Sequence, residues 1–175
     1  MIEFSATEIV YDVALVPPFR LPEYVRNGIC CEAYAEHFTA EVEPNGSGSF
    51  KVDDSQKAFK TQQGEVNAAY FSLAKLSAKE IVVIKAYQIP KDSEFELIAL
   101  SESFKPLYLQ SNIKGMFVPE TWKDVAYKKV MVELSDTEVK HLIIFINDPQ
   151  GIKGHQSRAE GSYTVSVIRD TLNTK

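Results

Sequence analysis

The sequence predicts an all-β protein: an antiparallel, jelly-roll-like β-sandwich of about eight or nine strands with one or two short helices. Two observations support this prediction. Short segments rich in β-branched and aromatic residues recur along the chain, with turn-forming residues between them. Some of these segments alternate between apolar and polar residues, whereas others are apolar throughout. Alternation is typical of strands with one exposed face, and continuous apolar runs are typical of strands covered on both faces.

The stretch from Glu80 to Leu109 is the centre of this pattern. The segment from Glu80 to Ile89 begins apolar on both alternating faces, which predicts a central strand covered on both sides. Pro90 and Asp92 end it, because proline lacks an N–H donor and turns favour aspartate. The segments FELIAL and FKPLYL follow as the next two strands.

Two later segments extend the prediction. The apolar run from His141 to Asn147 is predicted to lie centrally in a sheet. The segment from Ser162 to Arg169 alternates, with Tyr163 and Val165 on one face and Thr164 on the other, which predicts a strand with one wet face. Further strands are predicted over residues 8–15, 50–53, 67–73, 115–118 and 129–134.

Short helices are predicted over residues 31–38 and 119–128. The second begins at Pro119 and Glu120, which suit the first turn and the positive end of a helix. Residues 1–45 are interpreted as an N-terminal arm or subdomain and 46–175 as the sandwich domain, because EPNGSGS between them is linker-like. An N-terminal strand that completes the sheet is the alternative. Asn45-Gly46 also suits a tight hairpin turn.

Composition excludes several classes of protein. A chain of 175 residues with 45% hydrophobic content supports one packed domain. A net charge of -5 and a pI near 5.3 argue against binding nucleic acid or an anionic membrane surface. No apolar run approaches the roughly 20 residues of a membrane helix, so no membrane span is predicted.

The beginning of the sequence lacks the basic and apolar regions of a signal peptide. Two locations are left open: the cytoplasm, or the periplasm and envelope if a signal peptide has been removed and Met1 is not the native start. The adjacent Cys30 and Cys31 predict no disulfide framework and no zinc or redox CxxC. They are interpreted as two reduced thiols, with a vicinal redox switch or a soft-metal contact as the alternative.

The three histidines limit the possible chemistry. His141 lies in the apolar run and is interpreted as structural, and His37 has no second ligand at a metal-binding spacing. The sequence shows no nucleophile elbow, P-loop or dinucleotide fingerprint. We therefore predict no catalytic residue, no metal and no cofactor.

Two places are predicted to bind a ligand. In the loop DPQGIKGHQSRAEG, Lys153, His155 and Arg158 could hold an anion together with backbone amides near the glycines. A solvated connection without function is the alternative for this loop. Trp122 is the best candidate for a binding aromatic, because it lies outside the strong strands and precedes charged residues.

The segment from Leu100 to Tyr108 (LSESFKPLY) resembles the C-terminal β-sandwich of MalM-like maltose-operon periplasmic proteins. Tyr70 to Leu73, which precedes a strongly apolar strand, is similar to that family and to bacterial pre-peptidase C-terminal domains. The similarity covers about residues 63–169, and residues 1–45 fall outside it. It implies a non-catalytic accessory domain of the periplasm or envelope, and it supplies no catalytic residue.

These observations predict a non-enzymatic accessory or binding domain of the bacterial envelope, with a saccharide or a protein as its partner. The first alternative is a protein–protein assembly module that uses exposed edge strands. The second is a hydrolase-type enzyme with a loop site around His155. The oligomeric state is left open.

Overall fold

The computed structural model describes residues 31–53, 59–61, 64–74, 76, 80–134, 138–147 and 163–171. Within these residues, one 3₁₀ helix spans Glu32–His37. The same residues form twelve strands: β1 (Ala40–Val42), β2 (Ser47–Val52), β3 (Phe59–Thr61), β4 (Gly64–Val66), β5 (Ala68–Leu73), β6 (Glu80–Tyr87), β7 (Glu94–Leu100), β8 (Pro106–Ile113), β9 (Met116–Val118), β10 (Tyr127–Leu134), β11 (His141–Asn147) and β12 (Tyr163–Thr171).

Two five-stranded sheets form the sandwich, and β3 and β4 pair as a separate hairpin. The first sheet has the order β1-β5-β11-β7-β8, and the second has the order β2-β12-β6-β10-β9. Neighbouring strands are antiparallel except for β1 and β5. The predicted all-β sandwich is therefore confirmed.

The connections between the sheets are those of a jelly roll. Strands β2, β12, β6 and β10 are successive neighbours in one sheet, and β5, β11, β7 and β8 are successive neighbours in the other. Among these eight strands the chain changes sheet at each step, except at the hairpin from β7 to β8. This pattern is the double Greek key of jelly rolls, to which β1 and β9 add one edge strand each.

The two strands predicted to be central occupy the middle of their sheets, β11 in the first and β6 in the second. In β11, Leu142 and Ile144 face the core between the sheets, whereas Ile143 belongs to a cluster on the outer side. β6 alternates between buried and half-buried residues. The prediction that β6 is covered on both sides is therefore wrong, because Ile81 and Val83 lie on a partly exposed outer face.

An aromatic cluster covers the outer face of the first sheet. Tyr34 of the 3₁₀ helix stacks on Tyr70 of β5, with ring centroids 6.1 Å apart. Phe38 meets the same Tyr70 ring edge-on at 5.2 Å. Cys31 is buried next to this helix and is disulfide-bonded, so the interpretation of a reduced thiol is wrong for this residue. The cluster explains why a strand such as β11 is apolar on both faces.

The helix predicted over residues 31–38 is confirmed as a 3₁₀ helix, but the one predicted over 119–128 is wrong. Residues 119–126 instead connect β9 to β10, which pair antiparallel with Tyr127 opposite Val118. The Thr121 hydroxyl accepts hydrogen bonds from the backbone N–H groups of Lys123 and Asp124. These bonds form a turn, and antiparallel pairing of the flanking strands leaves little length for a helix.

The tight turn predicted at Asn45-Gly46 is present, but it does not join a hairpin. The N–H of Gly46 donates to the carbonyl of Glu43 at 2.8 Å, and Asn45 has a φ of 60°. Proline followed by asparagine at positive φ is the arrangement of a type II turn. The turn leads from β1 in the first sheet to β2 in the second. Residues 1–30 lie outside the described residues, and the division at residue 45 stays a prediction.

A buried ion pair lies in the second sheet at one end of the sandwich, and its arginine also bonds to the first sheet. Arg169 of β12 donates to both carboxylate oxygens of Glu80 in β6, at 2.9 and 2.6 Å. The same guanidinium donates to two backbone carbonyls of the first-sheet side. One belongs to Val42 in β1, and the other belongs to Ala74, directly after β5. Both side chains of the pair are 2% exposed or less, so Arg169 forms a buried link between the two sheets.

Candidate functional site

Three of the four predicted site residues, Lys153, His155 and Arg158, lie outside the described residues. The anion site in that loop therefore stays a prediction, as does the enzyme hypothesis around His155. The fourth residue, Trp122, lies on the loop between β9 and β10. Its side chain is 91% exposed. The structure thus presents Trp122 to solvent, as a binding aromatic requires.

Two features position Trp122 on its loop. The Thr121 turn holds the backbone, and the ammonium of Lys123 lies 5.2 Å from the centroid of the indole ring. Val125 on the same loop is also exposed, at 57%. This loop therefore exposes a large aromatic and a branched aliphatic side chain to solvent.

The loop adjoins a pair of tyrosines on the outer face of the second sheet. Tyr87 of β6 and Tyr127 of β10 are direct neighbours across the strands, and their ring centroids are 5.3 Å apart. The ammonium of Lys85 lies 4.8 Å from the centroid of the Tyr127 ring. We call the surface formed by Tyr87, Tyr127 and Lys85 the tyrosine face.

Asp124 of the Trp122 loop interacts electrostatically with Tyr87 of the tyrosine face. Burial raises the pKa of the Tyr87 hydroxyl, and the neighbouring Tyr127 and Asp124 raise it further. Asp124 belongs to the same turn as Trp122. Both tyrosines are half-buried, so their rings are held by the sheet while part of their surface faces outward.

Polar side chains continue the tyrosine face toward β2. The next row of the sheet places Ser166 of β12 opposite Lys85, and Ser49 of β2 opposite Ser166. The two serine hydroxyls are 3.1 Å apart. Lys129 of β10 lies on the other side of Lys85. Aromatic rings, hydroxyls and ammonium groups therefore share one sheet surface, which provides apolar contacts and hydrogen bonds together.

Sequence reasoning identified Trp122 but missed the tyrosine face. The alternation of β6 does place Lys85 and Tyr87 on one face. Their contact with Tyr127 depends on the register between two strands that are about forty residues apart along the chain. That register is not readable from either segment alone.

A second group of aromatic residues surrounds His141 at the opposite outer face. The imidazole stacks on Phe104 with ring centroids 4.2 Å apart and an interplanar angle of 12°. Its Nδ1 is 2.9 Å from the hydroxyl of Ser72. Phe104 has a φ of 66°, at a turn position where glycine is usual. Phe104 also packs against the buried cluster on the outer side of the first sheet, so this group is a packing element of that sheet.

Burial lowers the pKa of His141, while the hydrogen bond to the backbone of Glu102 and the Glu102 carboxylate oppose this effect. A lowered folded-state pKa means that the unfolded chain takes up a proton first as pH falls below about 6.5. We expect the free energy of unfolding to fall between pH 8 and pH 5, and to fall less in His141→Gln. Urea unfolding of both proteins at the two pH values measures this difference, and equal losses would contradict the expectation.

The described residues contain no group of three or more His, Cys, Asp or Glu side chains that could hold a metal ion. They also include no helix long and apolar enough to cross a membrane. No protein-family model matches the sequence, and no curated protein matches it. The resemblance to MalM-like proteins and the envelope location stay predictions.

Proposed function

We propose that this protein is a non-enzymatic binding module that takes a saccharide on the tyrosine face, with Trp122 at its rim. The observation that carries the proposal is the pairing of Tyr87 with Tyr127, 5.3 Å apart on an outward sheet surface. Aromatic rings pack against the apolar C–H surface of a sugar ring. The Lys85 ammonium and the Ser166 hydroxyl lie in the adjacent row, where they can bond sugar hydroxyls.

A thermal-shift screen of the folded protein with maltodextrins and other neutral glycans tests the proposal. A ligand that binds only the folded state stabilises it by about 2.7 kcal/mol at a hundred times its dissociation constant. We expect at least one glycan to raise the melting temperature. We expect Tyr127→Ala to weaken its binding about tenfold, as the loss of a central aromatic contact commonly does, and Trp122→Ala at the rim to weaken it less.

The matched control is Tyr108→Ala, which removes a half-buried tyrosine from β8 of the first sheet. It reproduces the loss of packing without touching the tyrosine face, so glycan affinity should be unchanged. Equal affinity of wild type and Tyr127→Ala, or the absence of any glycan-induced shift, would count against a saccharide site at this surface.

A protein partner is the second candidate, and the exposure of Trp122 and Val125 favours it. Exposed tryptophan is typical of the residues that dominate protein–protein contacts. Strand addition would have to use β2, an edge strand of six residues, because β1 and β9 have three residues each and β8 pairs with β7 through two register shifts. Light scattering tests this candidate. A protein partner is favoured if the chain forms oligomers that persist with saturating glycan and are lost in Trp122→Ala.

A further inference from the structure

A cleft of about 390 Å³ lies at one end of the sandwich. It is bounded by the β6–β7 turn, the β8–β9 turn and the first residues of β10. Its lining includes Lys91, Asp92, Glu94, Lys114, Phe117 and Lys128. We call it the lysine cleft. Lys128 and Tyr127 are consecutive in β10 and point to opposite faces of the sheet, so the cleft is separate from the tyrosine face.

Lys128 is the unusual member of this lining, because it is a charged side chain with only 6% exposure. Its ammonium donates to the backbone carbonyl of Ser93 at 2.5 Å. Burial lowers the pKa of Lys128, the carboxylates of Asp92 and Glu94 oppose this effect, and Lys114 adds to it. A desolvated lysine that lines a cleft is more typical of a binding site than of a packed core.

Charge and shape indicate the class of ligand. Among the described residues of the lining, three lysines against two acids give a net charge of +1 (3 − 2), on a chain whose net charge is -5. A monoanion neutralises this excess, whereas a dianion such as phosphate would leave the cleft with an excess negative charge and would lose more hydration on entering it. Phe117 supplies an apolar wall, and the Lys91 ammonium lies 5.3 Å from the centroid of its ring. The cleft is of the size of small-molecule sites.

We propose that the lysine cleft binds a small organic carboxylate. The carboxylate contacts the Lys128 ammonium, and the apolar part of the ligand packs against Phe117. This site does not depend on the proposed saccharide function, since it uses other residues on the other side of the second sheet.

Sodium benzoate is a suitable probe because it joins one carboxylate to an apolar ring. We expect benzoate to raise the melting temperature beyond sodium chloride at equal ionic strength. Lys128→Met should weaken benzoate binding about tenfold or more, since it removes the charge partner. The matched control is Lys129→Met, the same substitution one residue along β10 on the outer face, and it should leave benzoate affinity unchanged.

A second measurement keeps the test valid if Lys128→Met does not fold. In the wild-type protein, benzoate should slow acetylation of Lys128 by an acylating reagent, followed by peptide mass spectrometry, while acetylation of Lys129 is unaffected. The proposal is overturned if benzoate causes no shift beyond the salt control, or if it protects both lysines equally. A Lys128-dependent shift with inorganic phosphate but not with benzoate would overturn the assignment to a carboxylate.

Discussion

Replacing Glu80 with leucine is expected to lower the free energy of unfolding by about 3–5 kcal/mol, because it leaves the Arg169 guanidinium buried without its counter-charge. The two side chains are 2% exposed or less and share two hydrogen bonds. Water therefore cannot replace the lost carboxylate without opening the end of the sandwich. Urea unfolding followed by circular dichroism measures the change. Trp122 fluorescence is a poor reporter, since that ring is already 91% exposed in the folded protein.

Two further variants separate the buried charge from a general effect of the substitution. Glu41→Leu makes the same change at an exposed position of β1 and should alter stability by about 0.5 kcal/mol or less. The double variant Glu80→Leu with Arg169→Met should be more stable than Glu80→Leu alone, because it removes the uncompensated charge. A double variant less stable than Glu80→Leu would contradict this account.

Replacing Gly115 with alanine is expected to lower the free energy of unfolding by about 2–4 kcal/mol, from backbone strain and overpacking together. Gly115 has a φ of 67°, which L side chains rarely adopt. A Cβ at this position would lie 2.8 Å from the Lys129 carbonyl oxygen and 2.8 Å from a methyl group of Val130. A backbone oxygen within a sheet cannot move aside without breaking its pairing.

Gly48→Ala is the control for the glycine prediction. The Cβ at residue 48 would meet only a methyl group of Val42, at 3.0 Å, and Gly48 lies on the edge strand β2. A side-chain methyl can shift, so we expect a loss of about 1 kcal/mol or less. Equal losses for Gly48→Ala and Gly115→Ala, read from urea unfolding curves, would show that positive φ and the backbone contact do not decide the cost.

Most contacts of the candidate site could not be predicted from the sequence. The exposure of Trp122 was predicted from its place outside the strong strands. The helix predicted around it was wrong, because the pairing of β9 with β10 requires a loop there. The burial of Lys128 does have a signal in the sequence, because this residue has the same alternation phase as Val130 and Val132 in β10.

The sequence by itself determined the all-β class, the two central strands and the strand with one wet face. These features follow from local patterns of period two and from continuous apolar runs, and such patterns are complete within one segment. The alternation of β12 also places Arg169 in the same phase as Val165 and Val167, which are buried.

Only the tertiary structure decided which segments meet. Glu80 and Arg169 are 89 residues apart, and they pair because β6 and β12 are neighbours in the second sheet. The same holds for Tyr87 with Tyr127, and for the turns that enclose Lys128. Strand order and register arise from packing between distant segments, and a single segment carries no information about its neighbour.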